Sequence, residues 1–284
     1  MRSETEVLTQ VDAWAQGDAC VRAVILNGSR ADSKTQPDFL SDYDLVVYVT
    51  NLRPFQESDS WLQGFGSILV RWPMAPRSTF DSNWLTRLVL FEDDVRIDFQ
   101  ITEARDIGPS EFDNGYRVIT DKDGMTRSLN APTFTEFNIK KPLKDEFEDL
   151  VNEFWWDAIY VPKQLCRNEL PFAKYMLDNA LRHTHLHRMI EWYIGSQHDW
   201  SVNPGCHGKW FSRYLDTETW TAYKNSYAGF EIEKNWRAFF QLAKLFGRLA
   251  AETAEHLGYP YTEDLGKKVT EYAARLRQTD GELR

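Results

Sequence analysis

Cysteine is scarce in this sequence. Three occur in 284 residues, Cys20, Cys166 and Cys206, with no CxxC pair among them. The odd count and wide scatter suggest neither a disulfide framework nor a zinc site. Long apolar runs are also missing. No stretch approaches the roughly 20 apolar residues of a membrane span, and Met1-Arg2-Ser3-Glu4 lacks the apolar core of a signal peptide. A soluble, cytoplasmic protein with no membrane partner is expected. Basic charge is in deficit, with 33 Lys and Arg against 43 Asp and Glu, a net charge of -10 and a pI of about 5.2. Nonspecific nucleic-acid binders are usually basic, so nucleic acid is not an expected partner. An acidic cleft instead attracts small cations. Internal repeats and low-complexity tracts are absent.

The remaining composition is that of a globular chain, 42% hydrophobic and 27% charged, long enough for two domains. Its most specific stretch is residues 24–49. Val24-Ile25-Leu26-Asn27 reads as a short strand that runs into Gly28-Ser29-Arg30-Ala31. Asp42-Tyr43-Asp44 then opens a second strand, Leu45 to Val49. Alternate strand residues share a face, so Asp42 and Asp44 project together while Tyr43 turns to the core. Adjacent carboxylates repel unless a cation neutralises them, and an oxygen-only pair suits Mg²⁺. The preceding turn offers backbone N–H groups, the Ser29 hydroxyl and the Arg30 guanidinium, all matched to phosphate oxygens. Together these point to chemistry on a nucleoside triphosphate.

The flanking pattern predicts a helix over residues 3–17, with a Ser3/Glu6 capping box. A further helix is predicted from Pro54 to about Gly64, and strands over 68–72, 85–91 and 95–101. Glu92-Asp93-Asp94 reads as a solvated hairpin turn. Asp98 stands in mid-strand, sharing a face with Arg96 and Gln100. Strands disfavour Asp, and a metal shared with Asp42 and Asp44 would compensate. A short strand near 116–119 follows in a loop-rich region. Helical periodicity then dominates from Leu143 onward. Asn168 is a candidate cap for a long helix. Lys174, Asp178 and Arg182 stand four residues apart on one helix face. Spacing alone makes them a solvated charge ladder; the functional alternative puts Lys174 on a triphosphate and Asp178 on a cationic substrate. Glu169 is either a substrate contact or, more plainly, a favourable charge at a helix N-terminus. His183, His185 and His187 read as helix surface or packing rather than metal ligands.

The ordered triple of Gly28-Ser29, Asp42-x-Asp44 and Asp98 resembles the signature of the nucleotidyltransferase superfamily. The resemblance extends to the aminoglycoside 6-adenylyltransferase (streptomycin adenylyltransferase) family. It is carried by Asn27-Gly28-Ser29-Arg30-Ala31, Ser41-Asp42-Tyr43-Asp44-Leu45 and Arg96-Ile97-Asp98-Phe99. In the helical half it is carried by Arg167-Asn168-Glu169-Leu170, Ala173-Lys174-Tyr175-Met176-Leu177-Asp178 and Met189-Ile190-Glu191-Trp192-Tyr193.

This resemblance implies an α+β chain. Residues 1–138 would form a nucleotidyltransferase catalytic domain with a mixed β-sheet flanked by helices, and 139–284 an all-α helical bundle that binds substrate. It implies transfer of AMP from ATP to an aminoglycoside hydroxyl, streptomycin 6-OH foremost, with release of pyrophosphate. Asp42, Asp44 and Asp98 would be catalytic and hold Mg²⁺. Gly28, Ser29, Arg30 and Lys174 would hold the nucleotide, and Asp178 and Glu169 the acceptor. Leu165-Cys166-Arg167 and Pro171-Phe172 depart from the family pattern, which bears on the acceptor rather than the reaction. The expected partners are thus ATP and a cationic, streptomycin-like aminoglycoside, and the chain is expected to be a monomer or a homodimer. Competing readings are a nucleotidyltransferase acting on another small molecule or a protein, and a non-catalytic nucleotide-binding relative.

Overall fold

The computed structural model describes residues 1–76, 83–105 and 107–283. The chain divides into two compact units, Met1–Glu136 and Phe137–Arg284. The first contains helix α1 (Glu4–Gly17), strands β1 (Val21–Asn27) and β2 (Tyr43–Val49), helix α2 (Arg53–Glu57), and strands β3 (Ile68–Trp72), β4 (Trp84–Phe91), β5 (Arg96–Glu103) and β6 (Arg117–Asp121). Its six strands form one sheet in the order β3-β4-β5-β2-β1-β6. β2 and β5 run parallel, and the other pairs are antiparallel. The mixed sheet followed by helices is the expected α+β class.

α1 forms where the capping pattern predicts. The Ser3 hydroxyl accepts from the Glu6 N–H, and the Glu6 carboxylate accepts from the Ser3 N–H. Val7, Val11 and Ala15 bury its apolar stripe against Val24, Leu26, Leu45, Val47, Ile97 and Phe99. Ala23, Ile25, Val46 and Tyr48 face a smaller core on the other side of the sheet, closed by Ile107 and Phe112. β2 is therefore covered on both faces, which explains its unbroken apolar run.

Three local expectations change. The helix predicted from Pro54 breaks into α2 and a separate 3-10 segment, Ser60–Phe65. Asp59 sits at the break, buried, accepting from Arg87 Nε at 2.7 Å and Arg71 Nη1 at 2.6 Å. A regular helix would not deliver that carboxylate to both guanidiniums. The hairpin acids are not all solvated either. The Asp93 carboxylate accepts from the backbone N–H and the guanidinium of Arg2, Nε at 2.9 Å. Those bonds hold its pKa down at about 2. Asn168 does not cap a helix; it takes a left-handed φ of 61°, and the N-cap position falls to Glu169.

The second unit is helical, with α3 (Lys144–Ala158), α4 (Tyr160–Cys166) and α5 (Leu170–Lys174). α5 runs into a π-helix, Tyr175–Leu186, and then α6 (His187–Gln197). α7 (Phe211–Tyr214), α8 (Thr217–Asn225), α9 (Ile232–Leu257) and α10 (Asp264–Leu283) complete it. α9 is the spine. Trp236, Phe239, Leu242, Phe246, Leu249 and Ala250 bury one face of it, and Phe246 stacks on Phe154 of α3 at 3.5 Å between ring centroids. Trp155, Trp192 and Trp236 join this core, whereas Trp156 is exposed. Among the described residues, no helix is long and apolar enough to cross a membrane.

Candidate active site

Adjacent strands deliver the acidic residues to one place. β1 ends at Asn27, and the chain turns at once through the 3-10 segment Gly28–Arg30. Asn27 is paired with Asp44 across β1 and β2, and Asp44 with Asp98 across β2 and β5. Asp44 shares its face with Val46 and Tyr48, opposite the core that takes Tyr43, Leu45 and Val47. Asp42 lies on the same face, just before the strand. The three aspartates expected to act together are thus brought together by the β2–β5 pairing.

Gly28 has φ of 66°, and a Cβ built on it would lie 2.1 Å from Asp44 Oδ2. The turn can pass this close to the carboxylate only because no side chain intervenes. Ser29 follows, half-buried.

The electrostatics are those of crowded acids. Burial pushes the Asp44 carboxyl up to about 6, and the neighbouring Asp98 and Asp42 add to the rise. Asp42 is raised too, by burial first, with Arg96 opposing and Asp98 adding to it. Arg96 is the compensating charge. Its Nε donates to Asp98 Oδ1 at 2.9 Å and its Nη2 to Asp98 Oδ2 at 2.7 Å. Its Nη1 lies 3.1 Å from Asp42 Oδ2. Among the described residues, no group of three or more His, Cys, Asp or Glu side chains is arranged to hold a metal ion. Physically, one guanidinium already bridges two of the three aspartates. The donors are all carboxylate oxygens, the set a hard divalent cation prefers, and they already share one cation. They fit such an ion provided Arg96 gives way. The sequence carried a signal for Arg96, since it stands two residues before Asp98 in one strand, but no role was assigned to it.

Arg30, expected to contact phosphate, is also bonded within the protein and lines the cleft beside Asp42. Its Nε and Nη2 donate to the Ser41 carbonyl at 3.1 and 2.8 Å, and Nη2 also to the Asp38 carbonyl at 3.0 Å. Its Nη1 donates to Glu4 Oε2 at 3.0 Å, and the guanidinium lies 4.0 Å from the Tyr43 ring centroid. Most of its donors are thus committed to tying the loop before Asp42 onto α1 and β2. That loop presents Phe39 and Leu40 to solvent. It lines a cleft of about 650 Å³ that also takes in Asp42 and Arg96.

In the helical unit, Lys174 Nζ donates to the Ala228 carbonyl and to Asp178, each at 2.8 Å. Arg182 donates to the other Asp178 oxygen and to Ser226, and lies 4.0 Å from the Tyr227 ring centroid. Arg182 is fully buried, so the ladder is not the solvated one that spacing predicts. Burial raises the Asp178 carboxyl, but hydrogen bonds from Lys174 and Arg182 outweigh it and leave the pKa below the ordinary value. Glu169 is exposed at the helix N-cap. Two of the three histidines are packing residues: His185 lies 3.0 Å from Asp157 and His187 2.8 Å from the Tyr223 hydroxyl. A separate cavity of about 550 Å³ opens beside Trp155, Gly247 and Tyr261. None of the residues singled out from the sequence lines it.

The chain is also similar to known proteins. The chain is 33% identical over 278 residues to an aminoglycoside 6-adenylyltransferase of Bacillus subtilis (strain 168), covering 96% of this chain and 97% of that one. It is 31% identical over 284 residues to an aminoglycoside 6-adenylyltransferase of Campylobacter jejuni, covering 99% and 98%. A solved structure of an aminoglycoside 6-adenyltransferase from Bacillus subtilis matches at 29% identity, 98% and 99% coverage and a TM-score of 0.48. The streptomycin adenylyltransferase family model matches residues 1–276. The chain therefore belongs to the streptomycin adenylyltransferase family of nucleotidyl-transferring enzymes.

Proposed function

We propose that this protein transfers AMP from ATP to a hydroxyl of an aminoglycoside, streptomycin at its 6-OH foremost, releasing pyrophosphate and inactivating the antibiotic. The observation that carries this reading is the alignment of Asn27, Asp44 and Asp98 across three strands, with the Gly28 turn packed against Asp44, in a chain whose relatives bear that enzyme's name.

In the reaction, the acceptor oxygen attacks the α-phosphorus in line with the bond to the β-phosphate oxygen, which breaks. Pyrophosphate leaves, and the hydroxyl proton passes to a base. Asp42, Asp44 and Asp98 are assigned to hold Mg²⁺, which when bound neutralises triphosphate charge and polarises the α-phosphoryl group. Gly28 keeps the turn against Asp44, and Ser29 supplies a hydroxyl donor to phosphate. Arg30 acts one layer back, fixing the loop from which Asp42 projects. In the helical unit, Lys174 is assigned to phosphate and Asp178 to an ammonium or guanidinium group of the acceptor. Glu169 adds negative charge nearby in the chain. The acidic balance of the chain favours a cationic acceptor. As in other phosphoryl transfers, positioning and fixed charges supply most of the acceleration.

The test is to incubate the protein with ATP, Mg²⁺ and a panel of aminoglycosides and to follow pyrophosphate. Release with streptomycin, and an adenylylated product of matching mass, supports the reading. No release with any acceptor in the panel rejects it.

A further inference from the structure

The three aspartates repel one another, and Arg96 is the cation bonded directly to two of them. Its placement follows from β5 itself. Arg96 and Asp98 are two residues apart, so strand alternation sets them side by side on one face. The guanidinium grips both Asp98 oxygens, at 2.9 and 2.7 Å, and reaches Asp42 Oδ2 at 3.1 Å. It bridges a carboxylate of β5 and one that stands just before β2. Yet it is not locked in place, because 43% of its side chain is exposed while the Asp98 side chain is only 12% exposed. It also lines the open cleft beside Asp42.

We propose that Arg96 is a displaceable counter-ion. Its guanidinium occupies Asp42 and Asp98 when no divalent cation is bound, keeps the aspartates in register, and yields their oxygens when the cation arrives. The guanidinium and the cation compete because they use the same carboxylate oxygens. The side chain then swings into the cleft, where a triphosphate is its complementary partner. This rests on the proposed assignment of the aspartates to a cation, and it adds a residue that sets how tightly the cation binds before nucleotide does.

The full-length chain without nucleotide can be titrated with Mn²⁺, with free ion read by electron paramagnetic resonance. Wild type, Arg96→Met, Arg96→Lys and Asp44→Asn are compared. Arg96→Met is expected to bind Mn²⁺ roughly tenfold more tightly than wild type, because a competing unit charge is gone. Arg96→Lys is expected to fall between them, since an ammonium grips carboxylate pairs less well than a guanidinium fork. Asp44→Asn is expected to bind weakly, which marks the site. A purely structural Arg96 gives the opposite result: without it the aspartates splay and Mn²⁺ affinity drops. Affinity in folded Arg96→Met equal to or weaker than wild type overturns the proposal, as does absence of Mn²⁺ binding in both. Should Arg96→Met fail to fold, Arg96→Lys decides by the same criterion. The readout requires no acceptor, so failure of AMP transfer to every aminoglycoside leaves the Mn²⁺ result standing.

Discussion

Gly28 and Asp44 meet so closely that a single added carbon would collide. A Cβ on Gly28 would stand 2.1 Å from Asp44 Oδ2 and 2.9 Å from its Cγ. The turn after β1 and the carboxylate of β2 are therefore one unit. The glycine is required first by the protein's own acid and only second by any phosphate that approaches the turn.

Gly28→Ala follows from this contact. The new methyl must displace the Asp44 side chain, and alanine is strained at φ of 66°. A stability loss of roughly 1–3 kcal/mol is expected, read as a modest fall in Tm. The loss of kcat/KM should be much larger, about 100-fold or more, because Asp44 is moved off its position. Unchanged kcat/KM in a folded variant rejects the account.

Asp44→Asn should leave the fold intact and stop the reaction. The amide keeps the shape and removes one of three mutually repelling charges, so the Tm without metal should hold or rise. AMP transfer should drop roughly 1,000-fold. Activity retained in this variant would show that Asp44 does not serve the triphosphate.

Arg182 tests the buried network of the helical unit. Arg182→Ala removes one of the two cations on Asp178, Lys174 remaining, and leaves the Ser226 oxygens without their donor. Leaving a buried acceptor unsatisfied costs about 1–3 kcal/mol, measurable by urea denaturation. The double variant Arg182→Met/Asp178→Asn should recover part of that cost, since the buried guanidinium and its carboxylate go together and Lys174 keeps the Ala228 carbonyl. Simple additivity of the two single changes would argue against a coupled pair.

His187 sets a pH dependence. Burial lowers its pKa to about 4, and the nearby His183, Arg182 and His207 push the same way. In the unfolded chain the ring takes a proton near its ordinary 6.5. Between those values the unfolded state holds more protons than the folded one. Stability from this group is full above about pH 6.5, declines as pH falls, and is lost once pH passes below about 4. Linkage puts the total at up to about 3 kcal/mol. Urea midpoints across that range should show the decline, and His187→Gln should flatten it. An equal slope in the variant assigns the effect elsewhere.

Much of the first unit was legible because it depends on short-range rules. The Ser3/Glu6 cap, the apolar run of β2, and the common face of Asp42 and Asp44 follow from residues a few positions apart. What was not legible is where a side chain finds a partner distant in sequence. Arg30 carries a charge suited to phosphate, and only the folded chain brings the Asp38 and Ser41 carbonyls to it as well. Asp93 sat in what reads as a solvated turn, yet α1 brings Arg2 to it. The ladder of Lys174, Asp178 and Arg182 had correct spacing, but burial against Ser226 and Tyr227 cannot be seen in a period.

The sequence by itself determined which residues form strands, which face each carboxylate takes and that Gly28 precedes the acids, because backbone alternation and turn preference are local. The tertiary structure alone decided that β5 lies beside β2 in parallel register, so that Asp98 stands next to Asp44. It also decided that Arg96 grips Asp98 and reaches Asp42, while Arg30 is bonded to the Ser41 and Asp38 carbonyls. Both depend on which charges the packed sheet leaves within reach of one another.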